Sequence, residues 1–188
     1  MQALFEIFNP DLHDAWADLI VAATPPGCFC HMELRFADGR CFSSREPKGV
    51  GWKASIADDP RLWWTLDLPW PESPELIAFC DSLDKLPYWW MGAALSALGE
   101  APQNHAKAFF CSHVCMEILA RAGMARMGFI PPPNRAAEYL ARVLHQESQL
   151  PWDARSKTNA AKLFEAGRRL LVAANDRRSF YLATRSGG

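Results

Sequence analysis

The chain has 188 residues, 49% hydrophobic, 12% aromatic and 22% charged. That suits roughly one domain of about 150 residues with a short annex, able to bury about two-thirds of its unfolded surface without disulfides or a metal. A fusion of two enzymes is excluded, and a formal net charge of -1 argues against a protein whose main task is gripping nucleic acid, which takes a large positive field. The charge is uneven, with 8 basic and 16 acidic residues over 1–120 and 12 basic and 5 acidic over 121–188, so the basic tail is expected to be solvated or to lie on the acidic half.

In chain order, Asn9-Pro10-Asp11 caps a helical stripe of Leu12, Trp16, Leu19, Ile20 and Ala23, stopped by Pro25-Pro26-Gly27. Cys28 to Phe36 alternates as a strand, and Asp38-Gly39 turns it into a return strand over Cys41 to Ser44. Lys48 to Trp52 reads as a glycine-punctuated loop and Leu62 to Leu68 as a strand ended by prolines. A helix is predicted from Pro74 through Leu83, interrupted at Pro87 to Trp90, and the stretch to His105 has no clear signal. Phe109-Phe110-Cys111-Ser112 leads into a helix through Val114, Cys115, Ile118 and Leu119 that ends near Gly123. Pro131-Pro132-Pro133 divides a first unit, 1–130, from a helical extension, 131–188, with helices predicted over Asn134 to Glu147 and about Ser156 to Asn175.

The best candidate for a spanning run, Leu19 to Ala23, is far too short for the ~20 residues of a bilayer crossing. Met1 to Glu6 lacks the basic start and apolar core of a secretory signal. A cytoplasmic chain with no membrane span is expected, and its six cysteines read as reduced thiols. Six of the eight tryptophans fall between residues 52 and 90, packing the core or lining an apolar or sugar-binding cleft.

Nucleophilic thiol chemistry needs a thiolate, and unpaired N–H groups at a helix start lower a thiol pKa and can hold an oxyanion. Cys111 stands at such a start, and Cys115, one turn on, fits a structural thiol. A thiol nucleophile needs an imidazole, and His31 sits mid-strand with Glu33 two residues on, on the same face. Ser43 on the return strand is a second candidate to hold the ring. His13 and His145 read as surface groups, His113 as pointing away from the thiol towards the rim of the site, and His105 is unassigned. Cys28, Cys30, His31 and Cys41, or Cys111, His113 and Cys115, offer soft zinc ligands, but without paired Cys-x-x-Cys spacing and with Cys30 and His31 on opposite faces by alternation. Neither a metal nor another cofactor is expected.

Leu19 to Thr24, Cys30-His31-Met32-Glu33-Leu34, Asp38-Gly39-Arg40, Phe42-Ser43-Ser44, Gly49-Val50 and Cys111-Ser112 together resemble the circularly permuted branch of the NlpC/P60, papain-like superfamily, in which the histidine strand precedes the cysteine helix. The resemblance spans roughly residues 12–123. It implies an α+β, papain-like fold with a small antiparallel sheet packed on the cysteine helix, with Cys111 as nucleophile, His31 as base and acid and Glu33 as third member. Cys30 stands where relatives commonly have Ser, and His113 where an acidic residue often follows Cys-Ser. Ser43, Ser112 and Trp52 are the candidates for substrate contact. The activity so implied is a cysteine hydrolase cleaving an amide of a peptide or of peptidoglycan. The alternatives are a lipid acyl hydrolase or acyltransferase on the same site, or a non-catalytic module of a phage or secretion machine that keeps the fold.

Overall fold

The computed structural model describes residues 1–9, 28–54, 59, 61–97, 107–125 and 129–146. The helices expected over Leu12 to Ala23 and Ser156 to Asn175, with His13 and His105, lie outside them. The described residues form an α+β fold of five strands and four helices: β1 Gln2–Ile7, β2 Phe29–Arg35, β3 Cys41–Arg45, β4 Gly49–Lys53, β5 Trp63–Asp67, α1 Pro74–Leu83, α2 Trp90–Ala97, α3 Cys111–Arg121 and α4 Pro133–Val143. The sheet order is β4-β3-β2-β1-β5, antiparallel at every junction.

Asp38-Gly39 makes the β2–β3 turn as its sequence demands, with Gly39 at φ 85°. β1, unanticipated from the sequence, lies between β2 and β5. Ala3, Leu4 and Phe5 are all buried there, so the strand reads as a short apolar run without the alternation of a one-sided strand. β4 replaces the loop expected over Lys48 to Trp52. Its glycines do not break it, because Gly49 takes φ 75° to open the strand and Gly51 pairs with Ser43. The α1–α2 connection then continues the sheet edge, with Val50 N–H donating to Leu86 O at 2.8 Å and Lys85 N–H to Val50 O at 2.9 Å.

α1 opens on Ser73, whose side chain accepts from Leu76 N–H, with Pro74 in its first turn. Its buried Leu76, Cys80 and Leu83 join one core with Phe5, Met32 and Phe42 of the sheet and with Val114, Ile118 and Leu119 of α3. α2 replaces the stretch without clear signal: apolar nearly all round, it has no amphipathic period to read. α4 approaches β2 closely because Ala136 and Ala137, both fully buried, present almost no side chain. Asn134 Oδ1 there accepts from Phe29 N–H at 2.7 Å, satisfying a backbone donor beside the bulge that leaves Cys30 unpaired between the Ile7–Phe29 and Glu6–His31 pairs. Among the described residues, no helix is long and apolar enough to cross a membrane.

Gly49→Ala tests the β4 edge. An added Cβ would collide with the backbone carbonyl of Leu86 at a positive φ that disfavours any side chain. The variant is expected to lose about 2 kcal/mol or more in urea denaturation, whereas Gly39→Ala, with nothing within 4 Å, loses only the φ cost.

Candidate functional site

Strand alternation turns His31 and Glu33 to one side of β2, and their side chains meet, with Nε2 2.9 Å from Glu33 Oε1. Glu33 is fully buried, so its charge requires partners. Besides His31 these are Lys53 of β4, bonded to the same Oε1, and Arg45 of β3, with Nη2 3.4 Å away. Arg45 also donates from Nη2 to Glu6 Oε2 at 2.5 Å, and Glu6 pairs with His31 across the β1–β2 ladder. Lys53, Arg45 and Glu6 were not singled out in the sequence. Lys53 lay just past a segment read as a loop, and no local spacing relates it to residue 33.

These contacts set the charges. Burial opposes ionisation of Glu33, but the His31 hydrogen bond and the Lys53 ammonium outweigh it and hold the carboxyl at about 2. Burial, then the Arg45 charge, push the His31 imidazole down to about 4, against the pull of Glu33. At neutral pH a neutral imidazole therefore faces a carboxylate. Nε2 points at an acceptor-only oxygen, so it carries the proton and leaves Nδ1 as the basic nitrogen. Ser43 Oγ, 3.5 Å from Nε2, gives its proton to Met32 O at 2.6 Å, so Glu33 orients the ring.

Cys111 is the first residue of α3 and is buried. The β2–β3 ladder pairs only Leu34 with Phe42 and Arg35 with Cys41, and the helix start is received where the strands part. Ser44 Oγ there donates to Phe109 O at 2.7 Å, and Cys115 Sγ–H lies 3.6 Å from Met32 O. Burial pushes the Cys111 thiol up, and the backbone of Met32 and Ser112 with the Arg45 charge pull it only part of the way back, so at rest it is protonated. The hydrogen bonds of the His31 ring run to Glu33 and Ser43, and none of the hydrogen bonds among the described residues joins that ring to the Cys111 sulfur. Arg45 acts electrostatically on both groups.

Cys115 is fully buried, with its thiol pushed well up by burial, the environment of a structural thiol. Ser112 Oγ donates to Pro131 O at 2.6 Å and is buried, so its side chain anchors the helix start. His113 lies among the rings of Trp89, Phe109 and Phe110 and is 3% exposed, in the core and not at a rim. His145 is exposed just past α4. The tryptophans divide, Trp64 stacking on Phe29 at 5.6 Å in the core, while Trp52 and Trp63 line a cleft of about 830 Å³. Trp52 Nε1 donates to Asp81 Oδ1 at 2.8 Å. The cleft is also lined by Glu6, Glu33, Arg45 and Lys53.

No protein-family model, no curated protein and no solved structure matches the chain.

The low His31 value has a consequence for stability. The unfolded imidazole binds its proton near its ordinary 6.5 and the folded one near 4, so His31 contributes fully above about pH 6.5 and the contribution is lost as pH falls to about 4. The loss is about 3 kcal/mol. Glu33, at about 2 against an ordinary 4.5, loses its own contribution below that window. Denaturant titrations from pH 7 to 4 are expected to show the decline in the wild type and a flatter profile in His31→Gln.

Proposed function

We propose that the chain is a cysteine hydrolase that cleaves an amide bond of a peptide substrate through an acyl-enzyme at Cys111, in a papain-like fold of the permuted NlpC/P60 kind. The observation that carries the reading is the His31 imidazole held by the buried carboxylate of Glu33 on β2, the strand on which α3, opened by Cys111, packs. The order of histidine strand before cysteine helix supports the same reading.

In the reaction, Nδ1 of His31 takes the thiol proton as Cys111 Sγ forms a bond to the amide carbon. Charge moves to the carbonyl oxygen, which the N–H groups at the start of α3 stabilise. The imidazolium then gives its proton to the leaving nitrogen as the C–N bond breaks, leaving a thioester and a free amine. Water, deprotonated by His31, attacks the thioester, and the acid departs as the thiol is restored. Glu33 stays ionised throughout, because its pKa of about 2 lies far below the working range, and it stabilises the imidazolium. The resting thiol and imidazole are both neutral, so the ion pair forms only as the sulfur begins to bond to substrate.

Peptide anilides and peptidoglycan fragments incubated with the protein, followed by intact mass measurement, test this. An acyl adduct on Cys111 is expected, absent in Cys111→Ala and retained in Cys115→Ala. Glu33→Gln is expected to lower kcat about 100-fold or more with little change in KM. Turnover surviving in Cys111→Ala would remove the reading.

A further inference from the structure

We infer that the cleft beside Glu33 is a binding site for a neutral saccharide, seated against the indole of Trp63 and hydrogen-bonded by Lys53, Arg45 and Glu6. Neither Cys111 nor His31 is among the cleft's lining residues, so this site stands whether or not the thiol is catalytic.

Charge decides against an ionic ligand. Acidic and basic side chains line the cleft in equal number, four of each, and the inner ones are paired on the wall, Lys53 with Glu33 and Arg45 with Glu6. An anion or cation would meet as much repulsion as attraction and would have to compete with an ion pair already made. A hydroxyl is both donor and acceptor. It can accept from Lys53, whose ammonium has three N–H groups of which Glu33 Oε1 takes one, and donate to Glu6 without breaking either pair. A ligand carrying several hydroxyls suits such a mixed wall.

Shape and apolar surface point the same way. About 830 Å³ is the size of a small-molecule site. Trp63 is half-buried on the outermost strand, edge-on to His31 with centroids 6.5 Å apart at 80°, an amphipathic surface for the C–H face of a sugar ring. Trp52 supplies wall and not platform, because the guanidinium of Arg40 sits over its ring at 4.2 Å.

Nitrogen-15 spectra of the full chain, recorded while titrating maltose, cellobiose and N,N′-diacetylchitobiose, with glucuronate and glucosamine as charged controls, test the inference. At least one neutral disaccharide is expected to shift the Trp63 indole N–H saturably with Kd of about 1 mM or tighter. The same Kd is expected at about 50 and about 500 mM NaCl, since screening acts on ionic attraction. Trp63→Leu is expected to weaken binding about tenfold. If circular dichroism shows that variant unfolded, Lys53→Met is expected to weaken the same titration. No shift at Trp63 with any neutral sugar up to about 20 mM, or saturation only by a charged sugar with salt-sensitive affinity, would overturn it.

Discussion

A carboxylate with no exposed surface, Glu33, is the constraint on which the rest of the site depends. An unpaired buried charge costs several kcal/mol, and removing one partner of a buried pair typically costs about 3–5 kcal/mol. Its neutralisation draws His31 from β2 itself, Arg45 from β3 and Lys53 from β4, and Arg45 reaches on to Glu6 of β1. Four of the five strands are thus tied by one charge cluster, and a one-residue slip of β3 or β4 would turn Arg45 or Lys53 to the other face.

The same cluster sets the protonation of the site. For Glu33, hydrogen bonds and cations defeat burial; for His31, burial and a neighbouring cation defeat the carboxylate. Cys111 sits at a helix start, where unpaired N–H groups favour a thiolate by a few tenths to about 1 kcal/mol, yet its net shift is upward because burial is the larger effect. Position in the chain identified the thiol as a candidate; its ionisation depends on how deeply the parted β2 and β3 strands receive it. Where the strands part, the Met32 carbonyl accepts from the Ser43 hydroxyl at 2.6 Å.

What could be read from the sequence was local. The β2–β3 hairpin follows from Asp38-Gly39 between alternating runs, the ends of α1 and α3 from Pro74 and Gly123, and the His31–Glu33 contact from a two-residue spacing on a strand. β1 and α2 escaped because each is apolar on more than one side, which erases the period that reveals an element. β4 escaped because Gly49 and Gly51 look like loop residues until β3 is placed beside them. Helical geometry alone turns His113 away from the thiol and leaves it able to line the rim, and only the packing of Phe109, Phe110 and Trp89 around it puts it in the core.

The sequence by itself determined which groups are candidates for the site, a thiol at a helix start and an imidazole with a carboxylate on one strand, because each depends on neighbours within a few residues. The tertiary structure alone decided what those groups are at neutral pH, and that Lys53, Arg45 and Glu6 share the carboxylate's surroundings. Charge interactions and burial depend on distance in space, and residues 6, 33, 45 and 53 come together only through the register of four strands.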